Sequence, residues 1–328
     1  MIRVSVLDFV SVAEGGSAAQ ALAETARYAR LAEELGCYRF WMAEHHGMPG
    51  IASSAVAVCL AHVGGATSTI RIGSGGIMLP NHSPMAIAEQ FGTLDALFPG
   101  RIDLGLGRAP GADQRIGQML RKDLHSAAER FPQDVNELRA LFAGDERLPM
   151  QAIPGAGATP QMWMLGSSLF GAQLAAILGL PYAFASHFAP AALDEALALY
   201  RENFRPSATL EAPHVMVAAN CYAADTREEA SLMASSMDQS FVALRTGTPG
   251  RLPPPVPGYR ESLPPQAAAM LQAMRKVSAI GTADDVRGAM GALIERTGAD
   301  ELILAGSTFD PQARLRSLEI AMDALADL

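Results

Sequence analysis

The sequence predicts a (β/α)8 barrel, a TIM-barrel fold, and three observations predict it. Short apolar runs alternate with amphipathic stretches along the chain, there are eight such runs, and 328 residues suit one α/β barrel although length alone gives a prior of roughly two domains. Strands that alternate with helices imply right-handed crossovers and a parallel sheet covered by helices. A doubly wound open sheet competes on pattern alone. We expect a single domain over residues 1–328.

The strand-like runs fall at 2–7 (IRVSVL), 38–42 (YRFWM), 70–79 (IRIGSGGIML), 101–107 (RIDLGLG), 161–165 (QMWML), 181–186 (PYAFAS), 213–222 (PHVMVAANCY) and 301–306 (ELILAG). The first helical stretch shows its period: Ala21, Tyr28, Ala32 and Leu35 make one face, and Glu24, Arg27, Arg30 and Glu34 the other. Ser53 and Thr282 read as N-caps of later helices. Two segments interrupt the rhythm, 144–160 before the fifth strand and 247–265 before the last helix–strand pair. The seven prolines of 247–265 exclude regular helix or central strand there. A loop of that length inside a barrel is either a lid or disordered.

Composition excludes several chemistries. Of 25 cationic residues only Lys122 and Lys276 are lysines, both in polar, Arg-flanked runs that read as solvent-facing. A Walker A phosphate cradle is therefore absent, and any bound phosphate must rest on Arg, backbone N–H groups and hydroxyls. The net charge of -9, without a cluster of basic residues, argues against a nucleic-acid surface. Three widely spaced cysteines, Cys37, Cys59 and Cys221, fit a reducing compartment better than a disulfide framework, and none has the CxxC spacing of structural zinc. No basic region precedes a long apolar run at the N-terminus, and no apolar run reaches membrane-spanning length, so we expect a cytoplasmic protein.

Chemistry in such a barrel gathers where strands end. Glu44, His45 and His46 end the second strand, and because neighbours on a strand face opposite ways, only one histidine faces the mouth easily. The pair is a poor metal site; one histidine is either a general acid or base supported by Glu44, or a turn residue without a role. Gly73, Gly75 and Gly76 in the third strand admit either a flat aromatic ligand against bare backbone or a bulge at a barrel corner. After the fourth strand, Pro110 stands where a dinucleotide fingerprint needs glycine, which argues against that motif. Arg108 offers either a forked donor set for an anion or a surface salt bridge. Gly166, Ser167 and Ser168 precede a helix starting near Phe170, and form either a lysine-free phosphate turn or a plain N-cap. Asp8 and His187 end the first and sixth strands, with roles left open between mouth and core. No GxSxG occurs, and strand ends are poor in paired carboxylates, so nucleophilic triads and glycosidase pairs are unsupported.

Together these residues resemble the bacterial luciferase-like flavin monooxygenase family over nearly the whole chain: EHH at 44–46, GSGGIMLP at 73–80, NHSP at 81–84, GRIDLGLGRAPG at 100–111 and LGSS at 165–168. LGSSLFGAQLAA and FASHFAP resemble its luciferase-like oxidoreductases of uncharacterised substrate. The resemblance implies an enzyme that uses reduced FMN and O2 on a small organic substrate. Deazaflavin F420 as a hydride carrier, and a non-catalytic flavin-binding protein, are the alternatives. It implies that His45 assists the oxygen chemistry of the flavin and that Arg108 grips the cofactor phosphate. Gly75 and Gly76 would carry a non-prolyl cis peptide behind the flavin ring, and Gly166, Ser167 and Ser168 the second half of the phosphate site. Gly166 replaces the acidic residue that luciferase carries in this loop, and 247–265 matches the family's variable lid. A separate flavin reductase and a homodimer formed through barrel helices are implied as well.

Overall fold

The computed structural model describes residues 2–109, 119–120 and 124–328. Pro110, Gly111 and Lys122 lie outside the described residues. Eight strands close a parallel barrel: β1 (Arg3–Asp8), β2 (Arg39–Met42), β3 (Arg71–Met78), β4 (Ile102–Gly107), β5 (Gln161–Gly166), β6 (Tyr182–Phe184), β7 (Val215–Ala223) and β9 (Glu301–Ala305). Each pairs with its neighbour in chain order, β7 pairs with β9, and β9 pairs with β1 to complete the ring. Around it lie α1 (Ala18–Glu34), α2 (Val56–Ala66), α3 (Pro84–Leu97), α4 (Leu124–Glu129), α5 (Phe131–Ala143), α6 (Leu169–Leu178), α7 (Leu193–Asn203), α8 (Arg227–Arg245), α9 (Pro265–Met274), α10 (Ala283–Thr297) and α11 (Pro311–Leu325).

Strand alternation sorts the apolar residues into two cores. Val4, Val6, Phe40, Met42, Leu104, Leu106, Val217 and Leu304 pack outward against the helices. Leu7, Trp41, Trp163, Ala183, Met216, Ala218 and Ile303 fill the barrel interior, with Phe9 and Leu165 above them. One strand step below this apolar layer lies a charged floor. Arg39, 1% exposed, donates to Asp103 at 2.7 Å, to Gln161 at 2.9 Å and to Glu301 at 3.0 Å. Trp41 Nε1 and Arg71 also donate to Asp103, and Ser5 donates to Glu301. Every strand that supplies a floor residue is thereby tied by a side chain to another strand, Ser5 and Arg71 to a neighbour and Arg39 to strands beyond its neighbours.

The helix face expected for α1 is present, with Tyr28 and Ala32 buried and Arg27 and Arg30 exposed. Thr282 does stand at the N-cap of α10, where its N–H and its hydroxyl both donate to the Asp285 carboxylate at 3.0 Å. Ser53 does not cap a helix. α2 starts at Val56, and Ser53 is fully buried, its hydroxyl reaching the carbonyls of Ala43 and Phe9. It stitches the loop after β1 to the loop after β2.

One element was not expected: β8 (Ser278–Gly281), which pairs with Asn220–Ala223 outside the ring. Residues 247–265 are therefore followed by α9, β8, α10 and β9 rather than by one helix–strand pair. That proline-rich stretch is fastened at both sides: Leu252 exchanges backbone hydrogen bonds with Val12 and Glu14, and Arg260 pairs with buried Asp238 of α8 at 3.1 Å. The three cysteines are free and buried, and Lys276 is exposed. Among the described residues no helix is long and apolar enough to cross a membrane.

Candidate active site

Parallel strands place all their C-terminal ends at one mouth, and the predicted residues gather around it. Phe9 follows β1 and continues its inward alternation. The His45 ring stacks with Phe9 at 6.1 Å between centroids and 13° between planes, and Phe9 also meets His187, beyond β6, at 5.9 Å. Burial, with help from His46 and against Glu44, holds the His45 imidazole below its ordinary range. Burial, reinforced by nearby His45, pushes His187 down to about 4. Its Nδ1 is buried and has no hydrogen-bond partner among the described residues. Both rings are thus neutral at neutral pH, the state that can donate through one nitrogen and accept through the other.

Glu44 does not support His45. Only 1% exposed, it points the other way, where His46 and His82 each present Nε2 to its Oε1, His82 at 2.7 Å, while the Met78 N–H donates to Oε2 at 3.0 Å. Burial would raise this carboxyl; the hydrogen bonds from His46 and His82, the His82 charge and the Met78 N–H outweigh it and bring it down to about 2. The same carboxylate raises His46. The alternation argument required only that one histidine face the mouth, and the resemblance named His45; neither carried information about what the opposite side touches.

The Gly75–Gly76 peptide is cis, as the resemblance implies. What requires glycine is the protein itself. A Cβ on Gly75 would stand 2.6 Å from Leu7 and 3.1 Å from Trp41, and one on Gly76 would stand 2.7 Å from the Gly105 carbonyl. The β3–β4 register shifts between Ser74 and Ile77, so the bulge reading holds.

Arg108 is exposed and forms no ion pair among the described residues. Its guanidinium lies 4.1 Å over the ring of Phe170, in the first turn of α6, and its Nε donates to the Ala128 carbonyl at 3.3 Å. Ser168 has the backbone of an N-cap, yet its hydroxyl makes no capping hydrogen bond, which leaves the first N–H groups of α6 uncapped by it. Gly166 has only ordinary contacts around a hypothetical Cβ, so packing does not demand glycine there. Arg108, Gly166, Ser167 and Ser168 are thus brought to one corner of the mouth.

Asp8 belongs elsewhere. Fully buried, it faces outward and accepts hydrogen bonds from Thr25 at 2.7 Å, Arg314 at 2.8 Å and the Val10 N–H at 2.9 Å. Two clefts between α1 and α11, of about 520 and 280 Å³, contain none of the predicted site residues. In the larger, Arg27 is paired with Glu24 and Arg316 with Asp225 and Glu319. Phe9 and the Glu44–His82 contact escaped the sequence reading; the available signals were the alternation Ser5, Leu7, Phe9 and the NHSP segment.

Comparison with known proteins shows the family of the chain. Residues 2–301 match the luciferase-like monooxygenase family. The chain is 49% identical over 328 residues to a luciferase-like monooxygenase of Escherichia coli K12, covering 100% of this chain and 98% of that one. It superposes on the crystal structure of apo-MsnO8 with a TM-score of 0.92 at 33% identity, over 99% of both chains. Two more distant structures share the fold: the oxygenating constituent of 3,6-diketocamphane monooxygenase from Pseudomonas putida in complex with FMN (TM-score 0.73, 18% identity, 100% of this chain and 98% of that one), and an F420-dependent secondary alcohol dehydrogenase (TM-score 0.72, 14%, 99% of both). On the match over most of its length and the close relative beside it, the chain belongs to the luciferase-like monooxygenase family and is an oxidoreductase.

Proposed function

We propose that this enzyme is a flavin-dependent monooxygenase that uses reduced FMN and O2 to oxygenate a small organic substrate. The observation that carries the reading is the corner formed by Arg108 and the lysine-free turn Gly166–Ser168 at the start of α6. A guanidinium with no ion-pair partner among the described residues, beside a helix N-terminus, suits a phosphate monoester, the group at one end of FMN. The backbone at Gly75–Gly76 carries no side chain and suits the flat ring at the other end. In this reading one domain over 1–328 carries the whole site.

When bound, reduced FMN supplies the two electrons with which one oxygen atom of O2 enters the substrate and the other leaves as water. The chain's own residues position and protect. Arg108 and the α6 turn hold the phosphate end, and the bulge of β3 seats the ring. Leu7, Trp41, Trp163 and Leu165 keep the space beneath it apolar, which excludes water. His45, neutral and held flat against Phe9, takes or returns the proton at an imidazole nitrogen. A separate reductase delivers the reduced flavin, in a cytoplasmic homodimer formed through barrel helices.

Titration of the purified protein with FMN and with F420, followed by absorbance and fluorescence, tests the cofactor. FMN should bind in the micromolar range, and Arg108→Ala should weaken it about tenfold or more, far more than added salt does. Binding of F420 with none of FMN would replace oxygen chemistry by hydride transfer at the same site. Tight FMN binding with no stimulated O2 consumption on any aldehyde, ketone or aromatic substrate would leave a flavin-binding protein.

A further inference from the structure

The hydrogen-bonded ladder between β2 and β3 ends at Met42 and Ser74. Two residues beyond Met42 stands Glu44, and four residues beyond Ser74 the Met78 N–H donates to the Glu44 carboxylate at 3.0 Å. The unequal advance accommodates the bulge of β3 between Ser74 and Ile77. Gly75 and Gly76 therefore lie inside a small closed loop, with the last ladder rung at one end and the Glu44 carboxylate at the other. On the β2 side that carboxylate also takes His46, and on the β3 side His82, just beyond the short turn Leu79–Asn81.

His45 sits between two fastened neighbours, Glu44 and His46, with its own ring turned to the opposite side against Phe9. Three donors occupy the two carboxylate oxygens, which is close to what a carboxylate accepts. The two imidazole nitrogens and the carboxylate oxygen lie within 4.8 Å of one another, and both nitrogens meet one oxygen at hydrogen-bond length, the arrangement of a hydrogen-bonded hub. Burial of Glu44 makes the hub expensive to open, because a charge without its partners would be left in the protein interior.

We propose that Glu44 is a positioning residue: its carboxylate straps the His45 end of β2 to the Gly75–Gly76 bulge of β3, and so sets the spacing between the acid–base imidazole and the surface that seats the flavin ring. The inference rests on the flavin reading above, and goes beyond it by assigning that spacing to a group that touches neither substrate nor cofactor.

Glu44→Gln keeps the shape of the side chain and removes its charge. In flavin-free protein, NMR titration should show the His46 ring binding its proton about tenfold or more weakly than in the wild type, and the Met78 amide should exchange about tenfold or more faster. In flavin-loaded protein, FMN binding should weaken about tenfold and the visible circular dichroism of the bound flavin should change, with far-ultraviolet dichroism retained. His82→Gln removes one imidazole and leaves the charge on Glu44 and the Met78 bond; it should show the same changes at smaller size, and it carries the test if Glu44→Gln does not fold. Unchanged His46 titration and Met78 exchange overturn the strap. A changed strap with wild-type FMN affinity and flavin dichroism overturns the positioning role. Wild-type protein that binds neither FMN nor F420 sinks the proposed function and the positioning role with it, while the flavin-free measurements still decide whether the strap exists.

Discussion

At the floor of the barrel Arg39 meets Asp103, Gln161 and Glu301, and Asp103 is shared further with Trp41 and Arg71. At the mouth, one apolar layer higher, His187 keeps a buried ring nitrogen without a partner among the described residues, and Arg108 forms no ion pair there. Both regions bury polar atoms, the floor its ion pairs and the mouth the His187 ring nitrogen, and they treat them in opposite ways, while Arg108 stands exposed at the rim. The floor compensates each charge inside the protein and so fixes which strands face each other. The mouth leaves hydrogen-bonding capacity in reserve, and a buried group without a partner costs free energy that a guest can recover. Compensation at the floor maintains the barrel's shape, and the capacity left at the mouth is available to a guest.

The largest effect should come from breaking the floor. Arg39→Met leaves Asp103 and Glu301 fully buried with their central partner gone, and removing one member of such a group costs about 3–5 kcal/mol. Urea denaturation should show that loss, while the FMN affinity of the folded fraction stays within about twofold. A loss below about 1 kcal/mol would mean that the floor is not held by its charges. At the mouth the balance should reverse. His45→Ala should lower turnover about 10²-fold or more and stability by less than about 1.5 kcal/mol, because the ring is half-buried and stacks on Phe9 without a side-chain hydrogen bond among the described residues. Steady-state O2 consumption with reduced FMN is the measurement. Unchanged turnover would place the acid–base function elsewhere.

The contrast also separates what was legible in the sequence from what was not. The eight ring strands were readable because each buries both faces and carries its own apolar run. β8 was not, since Ser278–Gly281 offers four residues and only one large apolar side chain. The site motifs were readable where glycines, serines and histidines cluster locally at strand ends. Side-chain partners were unreadable because they come from distant positions: Arg39 meets Glu301 across 262 residues, and His82 reaches Glu44 across 38. Asp8 shows the limit in one residue. Its position at a strand end left mouth and core open, and alternation turns it outward to Thr25 and Arg314 while Phe9, the next residue, takes the inward place.

The smallest expected effect sharpens the comparison from the mouth's side. His187 titrates at about 4 in the folded protein, pushed down by burial and then by His45, against 6.5 for the unperturbed imidazole. Between these two values the unfolded chain binds more protons than the folded one, so stability must fall as pH drops from about 6.5 toward 4 and be insensitive to this group above that window. Glu44 acts lower down: its depressed carboxyl contributes stability above about 4.5 that is lost as pH falls toward 2. His187→Gln should therefore flatten the decline between pH 6.5 and 4.5 without altering the decline at lower pH. Denaturation midpoints of both proteins at pH 7.5, 6, 5 and 4.5 supply the comparison. Parallel curves through that window would mean that His187 titrates normally, with its ring nitrogen open to water, and the reserve attributed to the mouth would then rest on Arg108 alone.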